Sequence, residues 1–174
     1  MNAPQEPLQR EDPLPLRWLD TATQGLNVLG SALILVLMCL VGVDVTSRNL
    51  LNAPVSGVPE LVTLSIVVIV FLQIPQALRA GRMTQSDAFL NVLIARAPRA
   101  ARLLATVFDL IAMLVIWIIV KATWPIFTRA FERAEFVGAL GDFTAPVWPV
   151  KLTLIIGGLM LIAQFAARVW RRYR

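Results

Sequence analysis

The chain contains no histidine and only one cysteine, Cys39, among its 174 residues. Without histidine, haem axial ligation and the common zinc constellations lose their principal ligand. Cys39 lies inside an apolar run. It can form neither an internal disulfide nor a cysteine-pair metal site, and it is expected to pack as a small apolar residue. The sequence also lacks a phosphate-cradling glycine loop, a nucleophile paired with a base, and a pair of glycine-broken apolar segments of the kind that mark a transport substrate site. No internal repeat is strong enough to indicate inverted halves. Together these absences argue against haem and zinc chemistry and point away from an enzyme.

Apolar length is abundant. Hydrophobic residues make up 57% of the chain and charged residues only 16%, with a mean hydropathy of +0.71. Leu26–Val43 and Leu61–Leu78 each run for 18 residues without a charge, Leu103–Val120 is interrupted only by Asp109, and Leu152–Ala167 is uncharged over 16. A helix needs roughly 20 mostly apolar residues to cross a hydrocarbon core. The expected fold is therefore all-α: an integral membrane protein with four transmembrane helices and short amphipathic interfacial helices. The predicted spans are 26–47, 59–79, 102–123 and 149–169 within one membrane domain, 23–170. A tail with an interfacial arm (1–22) precedes it and a basic end (171–174) follows. The N-terminal segment lacks the basic region and short apolar core of a cleaved signal, so the first span is expected to be retained as its own insertion signal.

The net charge of +5 would suggest nucleic acid in a soluble protein. Here the basic residues gather at span ends, which points to topology and lipid headgroups and not to nucleic acid. Eleven of the 16 basic residues fall on the side of the two termini and the second connection, and five on the other. The positive-inside rule then predicts both termini in the cytoplasm. Trp18 and Trp170 flank that inner face, and Trp117, Trp124 and Trp148 lie near the outer one.

Leu14, Leu16, Trp18 and Leu19, beside Arg17 and Asp20, suggest an amphipathic arm on the inner surface. Pro59 and Glu60 suit the first turn of the second helix, and Pro75 is expected to kink it. In the inner connection, Thr84 or Ser86 can cap a short interfacial helix with Phe89, Val92 and Leu93 on its apolar face. After the third span, helical character is expected to persist to Phe136, with Gly138 and Gly141 breaking it.

Few residues could carry chemistry. Asp44 and Arg48 share a face at the outer end of the first span, and Glu60 starts the second at the same level. They read as an ion-pair cluster or a docking point for another subunit; a catalytic carboxylate pair would lack both nucleophile and metal. Asp109 is an intramembrane carboxylate, a functional candidate by default, roughly 10 Å from the inner end at 1.5 Å per residue. Gln73 and Gln164 fall at comparable depth. A polar layer of Gln73, Asp109 and Gln164, or an Arg79–Asp109 pair, would be structural; contact with a partner and ion conduction are the alternatives. Gly157-Gly158 permits close approach of a neighbour, internal or external.

Several of these residues, in order, resemble the small permease subunit of the tripartite ATP-independent periplasmic (TRAP) transporters. Asp44-Val-Thr-Ser-Arg48 closes the first span, and Pro54, Gly57 and Glu60 open the second. Arg79-Ala-Gly81 and Asp87 lie in the inner connection, Pro98 and Arg102 precede the third span, and Pro146-Val-Trp148-Pro149-Val-Lys151 opens the fourth. Where many family members carry a histidine four residues before the aspartate, this chain has Met83, so that histidine's role does not carry over. The resemblance implies a non-catalytic scaffold for a large permease in a bacterial or archaeal inner membrane. The large subunit would perform sodium-coupled uptake of an organic acid delivered by a periplasmic binding protein. A haem-free membrane anchor of another inner-membrane complex and a small autonomous channel are the competing readings. The channel reading makes Asp109 its key residue.

Overall fold

The computed structural model of the chain describes residues 13–81, 98–138 and 143–173. Four helices account for nearly all of them: α1 (Leu14–Leu50), α2 (Val58–Arg79), α3 (Pro98–Glu132) and α4 (Trp148–Tyr173). All four are long and apolar enough to cross a membrane. The α1 helix has 37 residues, about 55 Å at 1.5 Å per residue, well beyond the roughly 30 Å of a hydrocarbon core.

The expected interfacial arm is therefore not a separate element. Leu14–Leu19 run without a break into the first span: no proline follows Pro15 before Leu50, and the helix continues through Gly25, Gly30 and Gly42. The predicted interfacial helix around Phe89, together with Met83 and Asp87, lies outside the described residues. Helix ends follow the dipole rule: Glu60 stands in the first turn of α2, and Arg48, Arg79, Arg129, Arg171 and Arg172 stand in last turns. Pro15 and Pro59 occupy opening turns, where no amide donor is missed.

The third helix stops sooner than the sequence suggested. Ala134 takes a left-handed backbone conformation at φ 47°, and the Glu135 N–H donates to Ala130 O at 3.0 Å. This closes the helix before either glycine. Phe136–Val137 (β1) then pairs antiparallel with Ala145–Pro146 (β2), a two-residue ladder that the apolar pattern did not announce. Lys151 fastens this α3–α4 connection through Glu135, Nζ to Oε2 at 2.8 Å. Phe131 meets Trp148 edge-on at 5.8 Å between ring centroids. Phe143 lies where a side chain on Gly57 would project, so the α1–α2 turn and the α3–α4 connection meet there. Gly57 has φ 82°, a conformation that favours glycine.

The helices form a row and not a closed bundle. Packing runs α1 on α2, α2 on α4 and α4 on α3, with a lighter α1–α4 contact. The middle position of α4 shows in its apolar stretch, 39% buried against 11% in α1 and α3. Two adjacent glycines make this possible. Gly157 lies against the Phe71 carbonyl of α2, while Gly158 faces Val120 of α3, where an added Cβ would come within 2.6 Å of Val120 Cγ2. Successive helix residues differ by about 100° in direction, so the pair serves two neighbours, both internal. Gly30 does the same for the α1–α2 seam, opposite Gln73 and Leu72.

Candidate functional site

Polar residues concentrate at one end of the helix row: the starts of α1 and α3 and the ends of α2 and α4. Two carboxylates organise that end.

Asp20, two turns into α1, is reached from two other helices. Arg171 Nη2 of α4 lies 2.7 Å from its Oδ2, and Arg79 Nε of α2 lies 3.2 Å from its Oδ1. Gln164 Nε2 donates to Asp20 Oδ1 at 3.2 Å and to Thr23 Oγ1 at 2.8 Å. Thr23, fully buried, passes its own hydroxyl proton back to Leu19 O at 2.9 Å. The cluster thus joins α1, α2 and α4, and it accounts for the light α1–α4 contact. Replacing Gln164 with leucine would leave the buried Thr23 hydroxyl without its amide partner. The expected loss is about 1–2 kcal/mol, measurable as a lowered unfolding midpoint in detergent.

Asp109 joins α3 to α4. Its side chain is 5% exposed, with Arg172 Nη2 at 2.8 Å from Oδ2 and Arg168 Nη1 at 3.7 Å from Oδ1. Asp109 Oδ2 accepts no well-aligned hydrogen bond, so its attraction to Arg172 is chiefly charge on charge. Arg172 also donates to Thr106 Oγ1 at 3.0 Å, and Thr106 Oγ1 lies 3.0 Å from the Tyr173 hydroxyl.

The expected single polar layer is therefore divided. Gln164 turns to α1, Asp109 to the end of α4, and Gln73 to Ser31 of α1 at 3.3 Å. Arg79 pairs with Asp20 and not with Asp109. Similar depth did not bring the three side chains together, because rotation about each helix axis sends them to different seams. Asp20, Thr23, Arg168, Arg171 and Arg172 were not singled out as pairing residues from the sequence. The usable signal was the placement of Asp20, Arg79 and Arg171 at the same end of three helices.

At the opposite end Asp44 is buried and accepts from Arg48 Nη2 at 3.0 Å and from the Val55 N–H at 2.9 Å. It closes the turn between α1 and α2. Glu60 is half-buried in the first turn of α2 and makes no ion pair among the described residues. Arg48 is 56% exposed, so Arg48→Ala should cost only about 1 kcal/mol or less. Asp44→Ala should cost more, about 1–3 kcal/mol, because it strips the Val55 amide of its acceptor. Thermal unfolding of the two variants side by side checks that order.

The model of the family described as "Tripartite ATP-independent periplasmic transporters, DctQ component" matches residues 37–174. The match covers α2, α3, α4 and the C-terminal part of α1, and it leaves Asp20 and Thr23 outside. No curated protein and no solved structure matches the chain significantly.

Proposed function

Because the chain belongs to the DctQ component family of the tripartite ATP-independent periplasmic transporters, we propose that it is the fixed scaffold on which a large permease subunit works. It is a multi-pass membrane protein and not an enzyme. Family membership implies two partners, a large permease subunit and a periplasmic binding protein.

The observation that supports the scaffold reading is the use made of the intramembrane polar groups. Asp109 faces two arginines of the same chain, and Gln164 donates to Asp20 and Thr23. These contacts clamp helix to helix, whereas a translocation site needs groups that can exchange partners with a passing solute. The row arrangement supports the same reading. It leaves broad apolar faces on α1 and α3, with Leu29, Val36, Met38, Leu114 and Ile118 more than half exposed.

The chain sits with both termini in the cytoplasm, as the excess of basic residues at that end favours. The large subunit then carries the substrate and sodium sites in an inner membrane, taking up an organic acid delivered by the periplasmic binding protein. Sodium-driven uptake into proteoliposomes tests the division of labour. The large permease with this chain should transport, and this chain alone should not. Transport by this chain alone, abolished by Asp109→Asn, would overturn the scaffold reading. Orientation is checked separately: a fluorescent protein fused after Tyr173 should fluoresce in the cytoplasm, and labelling of Ser56→Cys should require only outer access.

A further inference from the structure

We propose that the inner end of the α3–α4 seam is a binding site for an anionic phospholipid. A groove of about 510 Å³ runs there, walled by Leu110 and Met113 of α3 and by Ala166, Val169, Trp170 and Tyr173 of α4. Its walls are apolar along their length, and polarity enters at one end only. There Tyr173, a wall residue, and Arg172 both meet Thr106 Oγ1 at 3.0 Å.

Arg102 stands one turn before Thr106, on the face that continues through Leu110 and Met113. It is exposed and, among the described residues, has no acidic partner. The neighbouring cations are already engaged: Arg172 with Asp109, Arg171 with Asp20. Among the described residues of α3 and α4 at this end, Arg102 is thus the cation left to meet a phosphate. Trp170, 62% exposed, lines the groove, an amphipathic residue of the kind that sits at interfacial level. An apolar channel with a phenol and an indole in its wall, and two turns before Leu110 a guanidinium without an acidic partner among the described residues, matches an acyl chain with an acidic headgroup.

The cation beyond the groove's end favours an anionic lipid over an apolar partner helix. The site does not depend on the scaffold reading, and it uses the orientation above only to assign the inner leaflet.

Native mass spectrometry of the full-length chain, titrated in detergent with phosphatidylglycerol or phosphatidylcholine, tests the proposal. The chain should retain phosphatidylglycerol in preference to phosphatidylcholine. Arg102→Ala should reduce that preference about fivefold, the factor for one interfacial cation, and Arg102→Lys should keep most of it. Ala166→Trp, placing an indole in the groove from an exposed position, should remove both lipids. Equal retention of the two lipids by the unaltered chain would overturn the proposal. So would an unchanged preference in Arg102→Ala, or a photo-crosslinker at position 166 that captures polypeptide and not phospholipid in membranes.

Discussion

Gly157→Val is expected to drive α2 and α4 apart and to leave little folded protein in detergent. The Cβ it adds would point at the Phe71 carbonyl oxygen and lie 3.0 Å from Phe71 Cβ. Backbone cannot move aside as a side chain can, so the helices must separate. The Phe71 oxygen is also unusual. Pro75, buried inside α2, has no N–H to give to the residue four before it, which is Phe71. In a bilayer such a freed carbonyl is costly unless something approaches it. The Gly157 Cα–H points where the Cβ would go, so it serves as a weak donor, worth about 0.5–1 kcal/mol. Valine removes that contact and overpacks the seam. Overpacking alone costs about 1–3 kcal/mol, and the row has no other link of this size between its halves.

Gly158→Ala should be milder, because Val120 Cγ2 is a movable side-chain end. Gly25→Ala meets nothing within 4 Å and should be neutral or stabilising by up to about 1 kcal/mol, from helix propensity alone. Unfolding midpoints in one detergent should therefore fall in the order Gly25→Ala, Gly158→Ala, Gly157→Ala, Gly157→Val. A Gly158→Ala variant less stable than Gly157→Ala would contradict the account of the α2–α4 seam.

The second large effect is expected at Asp109. Its removal leaves Arg168 and Arg172 facing each other beside α3 without their shared counter-charge. Breaking a buried pair from one side costs about 3–5 kcal/mol. The two arginines are 31% and 17% exposed, and their long stems let the charges turn toward headgroups. Asp109→Ala should therefore lose about 2–3 kcal/mol, below the range for a fully enclosed pair. Asp109→Asn, which keeps an acceptor, should lose less. Adding Arg172→Leu to Asp109→Ala should recover part of the loss, and a double-mutant cycle reads that coupling directly. Additive losses would mean that the 2.8 Å approach of Arg172 to Asp109 contributes nothing.

The contrast between these two sites shows what the sequence made legible. Four spans were readable because a bilayer demands long uncharged runs, and Asp109 stood out because a charge inside such a run is rare. Gly157-Gly158 was visible as a place of close approach. Which helices approached was not, since lipid and protein faces of a membrane helix are equally apolar. For the same reason the row order α1–α2–α4–α3 left no trace in the hydropathy pattern. Depth along a helix can be counted from residue numbers, but rotation about the axis cannot. That is why Gln73, Asp109 and Gln164 looked like one layer and proved to be three contacts. The short β1–β2 ladder escaped because two residues are too few to show a period.

The central claim is that this chain works as a fixed part of a larger permease. The most direct measurement is a pull-down in mild detergent from native membranes, with the tag after the last residue of the chain. The scaffold account predicts recovery of a much larger, many-helix permease at equal stoichiometry, retained when Arg48 is replaced by alanine. Recovery of this chain alone, or together with a redox enzyme, would contradict it.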